Sequence, residues 1–125
     1  MGRVINDFED LIVWQKAHKL VLQIYELTRN FPKNEEFGLV IQLRRSAASI
    51  PSNIAEGVGS NSKVNFKRML YIARGSLLET RYHLILARVL NYINRSVYED
   101  LKNKYDEVGK MLNSLIKSLD EDNFR

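Results

Sequence analysis

Along most of the chain, apolar residues return every three or four positions, and no stretch alternates apolar with polar residues long enough to make a strand. The pattern predicts an all-α protein. Trp14, Ala17, Val21, Ile24, Thr28 and Phe31 trace a first helix over about residues 10–30, which Pro32 stops. A second helix is predicted over about 35–57. Asn34 would cap it, Glu35 and Glu36 would sit in its first turn where the positive dipole end favours acids, and Gly57 would close it. The third helix, over about 62–94, is the longest, at roughly 50 Å from the 1.5 Å rise per residue. Its seam reads Phe66, Leu70, Ala73, Leu77, Thr80, Leu84, Ala87 and Asn91. Ser96 and Glu99 have capping-box spacing, so a fourth helix follows at once over about 97–120, through Leu101, Tyr105, Val108, Leu112, Leu115 and Leu119. Short connections favour antiparallel neighbours, and the economical arrangement is an up-down-up-down four-helix bundle. At 125 residues the chain suits one core and is short for two, so residues 1–125 are read as one domain with a solvated DEDNFR end.

The stretch RRSAASIPSNIAEG, residues 44–57, interrupts the second helix with Pro51. A proline in a helix interior removes one donor and crowds the carbonyl four residues back, here Ala47, at a cost of ~3 kcal/mol or more unless the helix bends. Ala47, Ala48, Ser49, Ser52 and Ala55 are all small, which lets another helix approach closely, and the serines can rebond loosened carbonyls. A helix kinked at Pro51 is the expectation. The alternative is two helices, with Ser49 as a cap and Pro51 in the second one's first turn.

The third helix carries more apolar surface than a monomeric bundle needs. Beyond its seam, Leu78, Tyr82, Ile85, Leu86, Val89, Tyr92 and Ile93 fall on outward positions, and a contiguous exposed patch of this kind usually marks an interface. Self-association is therefore expected. Beside this face Lys67, Arg74, Arg81, Arg88 and Arg95 recur every seven residues, drifting ~20° per heptad, so the five form one shallowly winding stripe. The plain reading of any one of them is a charge solvating the bundle edge or pairing with an acid of the first or fourth helix. Five in register with few local acids point instead to an anionic partner.

Charge sharpens this picture. Residues 37–95 hold nine Lys or Arg against only Glu56 and Glu79, a local +7, whereas the two ends carry ten basic and thirteen acidic residues, a local −3. Clustered charge makes an attractive field, and nucleic acid is the first candidate partner. Catalytic chemistry finds little support. Glu79 and His83 are four apart, unlike the Glu-x-x-His pairs of carboxylate-bridged metal bundles, so no metal or cofactor is expected. His18 reads as an ordinary surface or boundary residue, not a base. GVGS at 57–60 lacks the Lys-Ser/Thr of a phosphate loop and follows a helix, so it reads as a stop and turn. Glu56 is expected to pair with Lys63 or Lys67, and the sequon Asn94-Arg95-Ser96 is taken as chance. The absence of cysteine, of an apolar run of membrane length and of a signal-like start, with Asn6 in place of the myristoylation Ser/Thr, suggests a cytoplasmic protein without a membrane partner.

FEDLIVWQKAHKLVLQIYELTRNFP at 8–32, QLRRSAASIPSNIAEG at 42–57 and FKRMLYIARGSLLETRYHLILA at 66–87 together resemble one bacterial four-helix-bundle family. It is named for the protein encoded within intervening sequences of 23S ribosomal RNA genes. The resemblance spans about residues 8–119 and implies a bundle that assembles five-fold. The family is also similar to the accessory variability protein of diversity-generating retroelements, which binds nucleic acid through a basic surface and associates with a reverse transcriptase. The family motif carries over Arg44, Arg45, Pro51, Asn53 and Glu56 as ligand-binding or bundle-stabilising residues. The expectation is a non-enzymatic homo-oligomer binding RNA or an RNA/DNA hybrid through Lys67, Arg74, Arg81, Arg88 and Arg95, with Arg44 and Arg45 as lesser contributors. The alternative is an adaptor whose basic face meets an acidic protein partner.

Overall fold

A computed structural model describes residues 7–122, and for residues 121 and 122 the backbone alone. Four α-helices make up the described chain, with no strand among the described residues: α1 Ile12–Thr28, α2 Leu39–Gly59, α3 Lys63–Val89 and α4 Arg95–Asp122. Single 3₁₀ turns at Phe8–Asp10 and Lys33–Glu35 precede α1 and α2. The readings made for residues 1–6, no signal and no myristoylation pattern, lie outside the described residues. So do positions 123–125 of the DEDNFR end, while α4 continues through Asp122.

The helices close a ring of neighbours, each packing against the next in sequence and α1 against α4. Paired positions fix their directions. Lys67 meets Asp120, Arg74 meets Asn113 and Arg81 meets Asp106, so numbers rise along α3 as they fall along α4. Lys16 with Glu107 and Lys104 with Gln23 set α1 against α4 in the same opposed sense. Ser49 with Ser76 and Ser46 with Thr80 do so for α2 and α3. The core holds Val13, Ala17, Leu20 and Ile24 of α1, the predicted α3 seam from Phe66 to Ala87, and Leu101, Tyr105, Val108, Leu112, Ile116 and Leu119 of α4. Tyr105 is fully buried with no hydrogen-bond partner for its hydroxyl, and burial pushes that hydroxyl's pKa up.

Besides the C-terminus of α2, three helix ends differ from the sequence expectation. Asn34 does not cap α2. It lies in the 3₁₀ turn, α2 begins at Leu39, and the carboxylate of Glu35 accepts from the Leu39 N–H at 3.2 Å. The other oxygen of Glu35 accepts from the Tyr92 hydroxyl at 2.8 Å, tying the α1–α2 connection to the α3–α4 turn, where Phe31 and Tyr92 also pack ring to ring. The third helix stops at Val89, five residues short of 94. Asn91 takes φ of 66°, and the N–H groups of Asn91 and Tyr92 turn back to the carbonyls of Arg88 and Ala87, a Schellman closure. Asn91 therefore leaves the seam. At α4 it is Asn94, not Ser96, that caps: its Oδ1 accepts from Val97 N–H at 2.8 Å, and the helix starts at Arg95.

α2 passes unbroken through Pro51, so the two-helix alternative does not hold, and it runs on past Gly57 to Gly59. Pro51 is buried, as are Ser46, Ala47, Ile50, Ile54 and Gly57. α2 and α3 share the most extensive interface of the bundle. Gly57 shows why: a Cβ there would lie 2.7 Å from Phe66 Cδ1 and 3.2 Å from Met69 Cβ. The hydroxyls of this interface, buried at Ser46 and Thr80 and half-buried at Ser49 and Ser76, are partnered. Thr80 donates at 2.9 Å to Ser46, which donates to the Leu43 carbonyl, and Ser49 lies 2.9 Å from Ser76 Oγ. Ser49 is thereby engaged across the interface and does not rebond a loosened carbonyl of its own helix. Asn53 donates to both the carbonyl and the hydroxyl of Ser49.

Two measurements follow. Gly57→Ala gains ~1 kcal/mol of helix propensity but overpacks against Phe66, so a net loss of ~1–2 kcal/mol is expected in denaturant unfolding. Gly109→Ala, whose Cβ would meet Leu77 methyls at an ordinary 3.8 Å, should gain about 1 kcal/mol. The Glu35 carboxyl is held below its usual range, chiefly by the Tyr92 hydroxyl and then by the Leu39 N–H. A depressed folded pKa stabilises above the unfolded value and is lost as pH falls through the folded one. Thermal melts of wild type and Glu35→Gln should therefore differ near neutral pH and converge as the pH falls below the ordinary carboxylate range.

Candidate nucleic-acid interface

Four cations of the predicted stripe, Lys67, Arg74, Arg81 and Arg88, lie along α3 on the side that meets α4. Seven-residue spacing repeats nearly two turns, so the row stays in register with its neighbour. Polar side chains of α4 hold three of the four. Lys67 is ion-paired to Asp120, Arg81 sits 3.4 Å from Asp106, and Arg74 donates to Asn113 Oδ1 at 2.9 Å. Asp106 is shared with Lys102 at 3.3 Å. Arg74 also lies over the Tyr71 ring at 4.8 Å, and Arg88 over Tyr98 at 5.7 Å. The fifth member, Arg95, is not on α3. It is the exposed first residue of α4, across the Asn91 turn.

Next to this row runs the outward face of α3. Positions 64, 68, 71, 75, 78, 82, 85 and 89 alternate steps of four and three, the geometry of a coiled-coil seam. They are Val64, Arg68, Tyr71, Gly75, Leu78, Tyr82, Ile85 and Val89, every one exposed. The cations occupy the flanking position immediately before each Arg68, Gly75, Tyr82 and Val89. Of the residues predicted for an interface, Leu78, Tyr82, Ile85 and Val89 lie on this face. Leu86 is half-buried against the core. Tyr92 and Ile93 are beyond the helix, where Ile93 is buried and Tyr92 is bound to Glu35, so neither extends the seam. Val64, Tyr71 and Gly75 belong to it and were absent from the expected set, although the 4-3 spacing is present in the sequence.

The two motif arginines separate. Arg44 donates from Nε to the buried Thr28 hydroxyl at 2.8 Å and from Nη2 to the Tyr25 carbonyl at 3.3 Å, and its guanidinium stacks 4.5 Å over the Tyr25 ring. It braces α2 against the last turn of α1, and with Arg29 and Lys33 it lines a cavity of about 340 Å³ there. Arg45 is exposed. Glu56 is exposed too, and Lys67 is bound to Asp120 instead of to it. His18 stacks on Trp14 at 4.9 Å. His83 Nε2 is 3.4 Å from Glu79, and its Nδ1 is buried without a hydrogen-bond partner. No group of three or more His, Cys, Asp or Glu among the described residues is placed to hold a metal ion. No helix among them is long and apolar enough to cross a membrane.

The model of the 23S rRNA-intervening sequence protein family matches residues 9–114. The chain belongs to that family. The fold agrees with a crystal structure of a protein of unknown function from the S23 ribosomal protein family of Bacteroides thetaiotaomicron. The two share 34% sequence identity over 85% of this chain and 99% of the other, with a TM-score of 0.76. Among curated proteins none matches significantly. The matched span takes in all of α1, α2 and α3, with both the small-residue motif of α2 and the outward seam of α3.

The different settings of Arg44 and Arg45 give a direct expectation. Arg44→Ala should lose ~1.5–3 kcal/mol of stability through its charged hydrogen bonds, while Arg45→Ala should stay within about 0.5 kcal/mol of wild type. Urea unfolding of the two variants side by side checks this.

Proposed function

We propose that this family member is a non-enzymatic, self-assembling subunit that binds the backbone of RNA, or of an RNA/DNA hybrid, in the cytoplasm. The observation that carries the reading is the outward face of α3, where an exposed apolar seam is bordered every seven residues by a cation. Association through the seam would bring several such rows together, and the family resemblance points to five copies. Cations held over aromatic rings are pre-ordered for phosphate, since less side-chain freedom is lost on contact. Phosphate contacts give affinity with little discrimination among bases.

An adaptor for an acidic protein is the second reading, and one observation favours it. Lys67 and Arg81 already hold carboxylates of α4, so acidic side chains suit the same row.

Salt titration of RNA binding distinguishes the two. Removing Arg74, Arg81 and Arg88 together should weaken binding to unrelated RNA sequences alike. Each lost contact should flatten the dependence of log affinity on log salt by about 0.7 for single strands. Arg81 should contribute least, because Asp106 competes for it. Circular dichroism and light scattering establish first that the variant is folded and assembled as wild type. Equal affinity and equal slope would assign the row to structural duty and leave the adaptor reading.

A further inference from the structure

Among the described residues, an exposed apolar side chain and a gap in an exposed apolar row do not meet each other within the chain. The side chain is that of Phe37, which is 85% exposed in the turn before α2. Its backbone is held on both sides, because Gly38 N–H donates to the Glu35 carbonyl and the Glu35 carboxylate caps Leu39. Burying a phenylalanine side chain is worth ~1.5–3 kcal/mol, so a well-held exposed one is an anchor awaiting a pocket. Glu35 is occupied by Leu39 and Tyr92, whereas the neighbouring Glu36 is exposed.

The gap is at Gly75, midway along the outward seam of α3. It is the seam's one position without a side chain, and a Cβ added there would stand in open space, with no side chain beyond its chain neighbours within 4 Å. Tyr71, Ile72 and Leu78 border the gap and are 42%, 41% and 58% exposed. Arg74, stacked over Tyr71, places positive charge at its rim. Glu79 lies one turn on, drawn towards His83.

Phe37 cannot fill the gap of its own chain. The Ser49–Ser76 contact sets Gly75 roughly level with Ile50, about 16 Å along α2 from Leu39 by the helical rise. We propose that Phe37 of one copy inserts at Gly75 of a second copy, with Glu36 beside Arg74 at the rim. A second copy is the occupant because one chain presents both halves of the match, an acidic aromatic knob and an apolar gap with a basic edge. This rests on the self-assembly reading and specifies its geometry. Such a contact is heterologous, and repetition of it generates a ring or an open filament instead of a two-fold dimer. Charge disfavours the two-fold alternative. An antiparallel pairing of outward seams places equivalent flanking positions side by side, so the cation rows of two copies would confront each other.

Two variants and their mixture test the proposal. Phe37→Ser removes the knob. Gly75→Lys fills the gap, and the monomer should tolerate it because the site is open and lysine is the better helix former. With folding checked by circular dichroism, each variant alone should associate at least about ten-fold more weakly than wild type in sedimentation or light scattering. An equimolar mixture should form a heterodimer and stop there, since one intact knob meets one intact gap. Phe37→Ser assembling like wild type would overturn the proposal, as would a mixture that remains monomeric. A wild type that is monomeric at micromolar concentration would instead defeat the self-assembly reading beneath it.

Discussion

Where α2 meets α3, small side chains and paired hydroxyls stand in place of the large aliphatic contacts found elsewhere in the core. Gly57 lies under Phe66, and Ser46, Ser49, Ser76 and Thr80 bond across the interface. Close approach has a consequence for register. Polar groups withdrawn from water cost free energy unless they are partnered, so the hydroxyls fix the axial register: a slip of one turn would strand several at once. Pro51 is buried as well, and packing around it compensates for the donor it lacks. The fourteen-residue motif that includes it is thus largely a packing device, with Arg44 bracing α1 from its first turn.

Fixing α3 on one face decides what it shows on the other. Phe66, Leu70, Ala73, Leu77, Thr80, Leu84 and Ala87 point inward, and a second row with the same 4-3 spacing points away from the core. A helix with two apolar stripes on opposite sides has little overall polarity of face, unlike α4, whose outer surface is polar. Between the two stripes of α3, on the α4 side, only one further seven-residue row fits, and the cations occupy it. Core, apolar face and charge are therefore not independent features. Rotating α3 by one residue, about 100°, would bury charge and expose core.

The parts of this arrangement set by periodicity were legible in the sequence: four helices, the α3 seam through Ala87, and the α4 core line. Helix ends were less so, because caps depend on single side chains whose geometry competes locally. Asn34 has a capping residue's chemistry, yet Glu35 reaches α2 from a 3₁₀ turn that no periodicity announces. Ser96 matched a capping box, yet Asn94 lies two residues earlier and takes the role. Asn91 continued the heptad on paper; asparagine's tolerance of positive φ was the available signal that the helix could close there. The outward seam was legible in part, since its large residues stand out in the sequence while Gly75 carries no side chain to mark its place in the row. The task of Arg44 had no local signal, because its partners Thr28 and Tyr25 come from α1.

Charge shows the same dependence on tertiary structure. Summed along the sequence, residues 37–95 are strongly basic and the ends acidic, but folding lays α4 carboxylates on the α3 row. Part of the local excess is thereby neutralised within the subunit, and a single copy offers an anionic polymer only a few open contacts, among them Arg45, Arg68, Arg88 and Arg95. Weak contacts per subunit do not mean weak binding by an assembly. When copies are joined, each further contact becomes intramolecular at a high effective concentration, and avidity can exceed the single-site affinity by about 10²–10⁴-fold. With the apolar seam and the cation row on one helix, the proposed binding depends on the proposed assembly: losing assembly would scatter the charges that binding needs, even with every cation intact. On the proposed function, the apolar residues of α3 bear on nucleic-acid affinity as directly as its arginines do.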